Sequence, residues 1–124
     1  MNAASKIIAA VLTVASLAGC TLEPPEIASG RVSVSEVGRP IQELSLNDPS
    51  QLNAWLKGHR EGWSRSVTTY VPRINAQLQA KDGTGWGINI VDRLVVVNGA
   101  GAQFTQSFQA SEIESLKAAM GIRQ

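Results

Sequence analysis

Polar and β-branched residues alternate along RVSVSEV, residues 31–37, with Val32 and Val34 on one parity. That pattern predicts a strand, ended by Gly38-Arg39-Pro40. The following IQELSL fits either a short strand or the apolar approach to a helix. The period then turns helical: Leu52, Trp55, Leu56 and His59 recur at i, i+3, i+4 and i+7. Asp48 suits an N-cap, Pro49 the first helical position, Gln51 stands at capping-box spacing and Gly62 suits a stop. A helix over 49–61 is expected, its interior weakened at Gly58 by up to about 1 kcal/mol relative to alanine.

Period two returns after it. Val67, Thr69 and Val71 share one parity, and Ile74, Ala76, Leu78 and Ala80 share the other. A continuous strand cannot change faces without a bulge or turn, and Pro72 lacks the amide a ladder needs. The chain is therefore expected to break at Pro72, leaving the stronger strand at 73–80. Asp82-Gly83 signals a hairpin, and WGINIV follows with Trp86, Ile88 and Ile90 facing one way. Asp92-Arg93 makes another tight turn. Leu94-Val95-Val96-Val97 is apolar on both parities and suits a central strand; after NGAG, Phe104 and Phe108 share a face. A last helix carries a Ser111–Glu114 capping box, the stripe Ile113, Leu116 and Met120, and Lys117 near its negative end. Gly121 with Ile122 suits a Schellman stop. The sum is an α+β fold, an antiparallel β-meander with about two helices packed on one face.

The N-terminus has a different character. MNAASK carries one charge, Lys6, and precedes the apolar run Ile7 to Ala18. About a dozen residues match a secretory h-region and are too few to cross a hydrocarbon core of ~30 Å as a helix. The run ends in SLAGC, which holds the only cysteine. A lone cysteine in an exported chain has no intramolecular disulfide partner.

Leu17-Ala18-Gly19-Cys20 resembles the lipobox of bacterial lipoproteins, an aliphatic residue and two small ones before a cysteine. The resemblance implies that the Cys20 sulfur takes a diacylglyceryl group and that cleavage before it exposes an amine, which is then acylated. Several acyl chains at about 0.8 kcal/mol per buried CH₂ hold a protein durably where a single chain does not. In that family an aspartate after the cysteine favours inner-membrane retention. Thr21 stands there instead, which implies the outer membrane, facing the periplasm. The organisation expected is a signal peptide over 1–19, the lipidated Cys20 with a flexible tether over 20–30, and one small domain over 31–124. TLEPPEIASG, with two prolines and no periodicity, would reach ~30 Å at most.

Charge narrows the partners. Loss of Lys6 leaves ten basic residues against ten acidic ones, so the mature chain is formally neutral. That argues against nucleic acid and against electrostatic adhesion to anionic lipid. His59, the only histidine, has Glu61, Ser64 and Ser66 nearby, the ingredients of a hydrolase. No GxSxG motif accompanies them. His59-Arg60-Glu61 echoes the HxE of zinc deaminases but lacks their cysteine pair, and no metal-ligand spacing or cofactor motif is found. The glycines around Trp86 and at 99–101 lie between strands, as hairpin turns do, and match no phosphate loop. Trp63, Tyr70 and Trp86 are the candidate binding residues, since tryptophan and tyrosine bring rigid area with a polar handle; Trp55 belongs to the helix stripe. The expected function is a non-catalytic protein-binding lipoprotein, an assembly accessory or an inhibitor or immunity-type protein. The rivals are an envelope hydrolase built on His59, and a small-ligand binder with a pocket between sheet and helices.

Overall fold

A computed structural model describes residues 19–123, so the signal-peptide reading of 1–18, with Leu17 and Ala18, lies outside the described residues. The strands are β1 (Ile27–Val34), β2 (Gln42–Leu46), β3 (Ser64–Arg65), β4 (Ile74–Ala80), β5 (Gly85–Val91), β6 (Leu94–Gly99) and β7 (Ala102–Ser107). Helices α1 (Ser50–Gly58) and α2 (Ala110–Ala119) complete the fold. All seven strands form one sheet in the order β2-β1-β4-β5-β6-β7-β3, every pair antiparallel. The α+β meander with helices on one face is what the sequence pattern predicts.

Turn chemistry explains the central four strands. Ala100 and Gly101 both have positive φ (53° and 74°), the backbone that a two-residue hairpin between Gly99 and Ala102 requires. Asp92, at φ 55°, turns β5 into β6. Between β4 and β5, Gly83 takes φ 89° while the Asp82 carboxylate accepts from the Thr84 amide at 3.0 Å. The pleat then sorts side chains. Val34, Ile74, Ile90 and Val95 align in register on one face, as do Val32, Ala76, Ile88 and Val97. Leu52, Trp55 and Leu56 of α1 and Ile113, Leu116 and Ala119 of α2 join them in one buried cluster. Each fully buried aliphatic side chain contributes about 1.5–3 kcal/mol.

The other face is polar and almost uncharged: Ser33, Asn75, Asn89 and Thr105 share it with Arg31, Gln77, Asn98 and Gln103. Val96 is also on that face, yet it is fully buried. To pass from edge strand β3 to interior strand β4, residues 66–73 cross β7, β6 and β5. Helices occupy the opposite face, and Gln103 Nε2 donates to the Thr68 carbonyl at 2.7 Å, fixing the start of the crossing on the polar side. Pro72 thus marks the end of a crossover and not a bulge within a strand.

Three boundaries differ from the sequence reading. β1 begins at Ile27 and ends at Val34, so it lies four residues earlier at its start than the alternation suggests; the ambiguous IQELSL becomes β2. α1 stops at Gly58, short of 61: the His59 amide turns to the Leu56 carbonyl at 3.3 Å, one residue tighter than a helical bond, and His59 Nδ1 takes the Trp55 carbonyl. Trp63 Nε1 donates to the His59 carbonyl (2.6 Å), and the Leu22 amide donates to that of Arg60 (2.7 Å). At its start Pro49 is the N-cap and Ser50 the first helical residue, so Asp48 lies one position outside the expected cap, though its carboxylate accepts the Ser50 amide at 3.1 Å. In α2 the returning carboxylate is Glu112, which accepts the Gln109 amide at 3.4 Å; the box is two residues earlier than Ser111–Glu114. The Schellman stop stands as expected: Gly121 at φ 81° donates to Ala118, and Ile122 to Lys117, both at 3.0 Å.

Bonding to Thr84 holds the Asp82 carboxyl below its ordinary value of 3.8. The folded-state value is depressed, so the stabilisation is complete above the unfolded value and is lost as pH falls through the lowered one. Asp82→Ala is expected to lower the urea midpoint at neutral pH. The difference from wild type should shrink steadily once pH drops below about 4, and urea titrations across pH 7 to 2 check it.

Candidate functional site

The segment expected to be a free tether is a packed strap. Cys20 and Trp63 form an antiparallel bridge, with Cys20 N donating to Trp63 O at 2.6 Å and Trp63 N to Cys20 O at 3.1 Å. The Leu22 amide bonds Arg60. At the far end the Asn53 side chain of α1 brackets Ile27, accepting from its amide (2.8 Å) and donating to its carbonyl (3.0 Å). Partners thus fall from 63 to 53 as the strap rises from 20 to 27, so it runs antiparallel to α1. Pro24 and Pro25 hold the middle extended and bring no amide to satisfy. Leu22 and Ile27 are buried in the core. Glu23–Arg60 (2.9 Å), Glu26–Lys81 (3.2 Å) and Thr21–Glu61 (2.9 Å) line the exposed side. Composition misled here because two buried apolar residues five apart show no period; α1 decides their burial.

At the strap's start the Cys20 thiol is exposed. Gly19 has φ 82°, and a Cβ there would lie 2.7 Å from the Trp63 carbonyl oxygen. The small residue that precedes the cysteine in a lipobox is therefore also the one this fold accommodates.

His59 is at the end of α1 inside an aromatic cluster. Its ring stacks on Trp55 with centroids 4.0 Å apart and meets Phe108 edge-on at 5.4 Å; Trp63 meets Phe108 at 5.7 Å. His59 Nδ1 is 2.7 Å from the Trp55 carbonyl, which only accepts, so Nδ1 carries a proton. Nε2 is 3.3 Å from a Glu112 carboxylate oxygen. Both nitrogens face acceptors, leaving no basic nitrogen directed at a serine. Ser64 pairs with Thr105 in the sheet, the Ser66 hydroxyl accepts the Thr68 amide, and Glu61 bonds Thr21. The trio proposed for a hydrolase is not assembled. Among the described residues no group of three or more His, Cys, Asp or Glu could hold a metal ion, and no helix is long and apolar enough to cross a membrane.

The three candidate binding aromatics do not form one patch. Trp63 is fully buried, a correction with a clear cause: its backbone bridges Cys20, its Nε1 donates to the His59 carbonyl and its ring meets Phe108 edge-on, which together hold the indole in the core. Tyr70 sits half-buried on the crossing segment. Trp86 is half-buried on β5, with its ring against Gly99 of β6 and its Nε1 donating to Thr84 Oγ1 at 3.0 Å. Gly99 is bare because any Cβ would overlap that ring.

Trp86 lines an open groove of about 900 Å³ at the ends of β5, β6 and β7, bordered by Arg65, Val67, Asn98 and Gln103. Val67 and Val71 of the crossing segment are exposed, and the Arg65 guanidinium sits 5.9 Å over the Phe104 ring. No stretch of sequence announces the groove, because its walls come from five strands, β3 to β7. Comparison with protein families, with curated proteins and with solved structures finds no match to this chain.

A packed strap and a free tether respond differently to truncation. Leu22→Ala is expected to cost about 2–5 kcal/mol of unfolding free energy, as core leucines do, whereas a solvated tether residue would change it by under about 0.5 kcal/mol. Urea unfolding of protein beginning at Cys20 measures the difference.

Proposed function

We propose that this chain is a lipid-anchored envelope protein whose domain binds another macromolecule without catalysis. The observation that carries the reading is the lipobox-like Leu17-Ala18-Gly19-Cys20 with its lone thiol exposed on the folded domain, where acyl chains meet no steric obstacle. The outer membrane, facing the periplasm, is the location the residue after the cysteine favours.

The binding reading is supported by the groove. Tryptophan and arginine are the side chains that most often dominate interfaces, and Trp86 and Arg65 border one recess beside the exposed Val67. An open, shallow shape suits a protein loop or edge better than a small molecule, which is usually enclosed over most of its surface. An assembly accessory and an inhibitor or immunity-type protein both fit such a surface.

Two measurements test these readings separately. Expressed in a bacterial host, the full chain should lose residues 1–19 and gain the mass of the acyl chains. Cys20→Ser should remain unacylated and leave the membrane fraction, and a wild-type protein with its methionine start and a bare thiol would refute the anchor. For binding, the soluble domain from residue 21 should capture a specific partner from envelope extract. Trp86→Ala should weaken that capture by about tenfold or more, the effect of losing a hot-spot residue. Equal capture by both forms would remove the groove from the interface.

A further inference from the structure

We infer that the strap holds the domain in one orientation on the bilayer, with the β3 edge against the phospholipid headgroups and the β2 edge outermost. The inference rests on acylation of Cys20 and adds what the sequence could not: the attachment point is part of the fold. Acyl chains on the sulfur and amine of Cys20 place its backbone at the membrane interface. Both its amide and its carbonyl are bonded to Trp63, the residue before β3. β3 therefore lies within one strand spacing, about 4.8 Å, of the anchored residue.

The sheet order then sets the rest. β2 is six strand spacings from β3, up to roughly 29 Å along the sheet. The strap leaves no slack to randomise this geometry. Its seven steps from Cys20 to Ile27 span about 23 Å when extended, and both ends are hydrogen-bonded. The membrane-facing edge also needs no basic patch. Arg60 is paired with Glu23, and the Glu61 carboxylate that accepts from Thr21 is matched in charge by Arg65 of β3, so the formal charges of these four residues cancel and the acyl chains supply the adhesion. Arg65 and Val67 put one end of the Trp86 groove on the same edge. A partner in that groove would approach along the membrane plane.

In processed protein the Cys20 sulfur is a thioether, so an introduced cysteine becomes the single free thiol. Ser64→Cys on β3 and Ser45→Cys on β2 are both exposed. Each is labelled with a small fluorophore and reconstituted in phosphatidylethanolamine–phosphatidylglycerol vesicles containing headgroup-spin-labelled lipid. Quenching at position 64 is expected to exceed that at 45 by about threefold or more, given the separation along the sheet. Equal quenching, in protein whose mass carries the acyl chains, overturns the orientation and leaves the anchor standing. A mass without acyl chains overturns both. A Gly/Ser insertion of about ten residues after Cys20 leaves Leu22 free to pack and should bring the two values together. A ratio unchanged by the insertion would show that the strap is not what orients the domain.

Discussion

The indole of Trp63 ties together parts of the chain far apart in sequence. The indole Nε1 donates to the His59 carbonyl just past the end of α1, the ring packs against Phe108 at the approach to α2, and the residue's backbone exchanges two hydrogen bonds with Cys20. Helix end, sheet edge and N-terminal strap therefore meet at one buried residue, through its side chain and its backbone together. A tryptophan suits the position because it brings a large apolar area and a single donor that must be satisfied when buried.

The two faces of the sheet divide the labour. One carries aligned aliphatic rows under the helices and supplies the core. The other carries amides and hydroxyls with few charges. Val96 is the exception on the polar face. It is buried among polar neighbours, and with Val95 and Val97 it makes β6 apolar on both parities, which is how the strand reads as central.

Much of the sheet could be read from residues because its turns are local. Asp82-Gly83, Asp92-Arg93 and Ala100-Gly101 each fix a hairpin within a few residues, and the Gly121-Ile122 stop works through bonds no longer than one helical turn. What escaped was non-local. Leu22 and Ile27 are buried by α1, which lies some thirty residues later, and Pro and Glu around them look like linker composition. Trp63 does follow the helix end, and its burial comes from Cys20 and Phe108, both more than forty residues away in sequence. The groove draws one to three residues from each of five strands, so no window of sequence contains it. The arrangement at His59 shows the converse: neighbours in sequence, Glu61, Ser64 and Ser66, turn to different partners once folded.

The strap's geometry also determines how it fails under load. A pull on residue 20 directed away from the domain acts on the Cys20–Trp63 pair first, then on the Leu22 amide, and reaches Ile27 last. The bonds are peeled in succession and never sheared together, so modest tension suffices for each. Once peeled, the residues that had no slack become a spacer about 23 Å long when extended. Tension would thus convert a short, fixed attachment into a longer, freely swivelling one, and release would let Leu22 re-bury and draw the domain back.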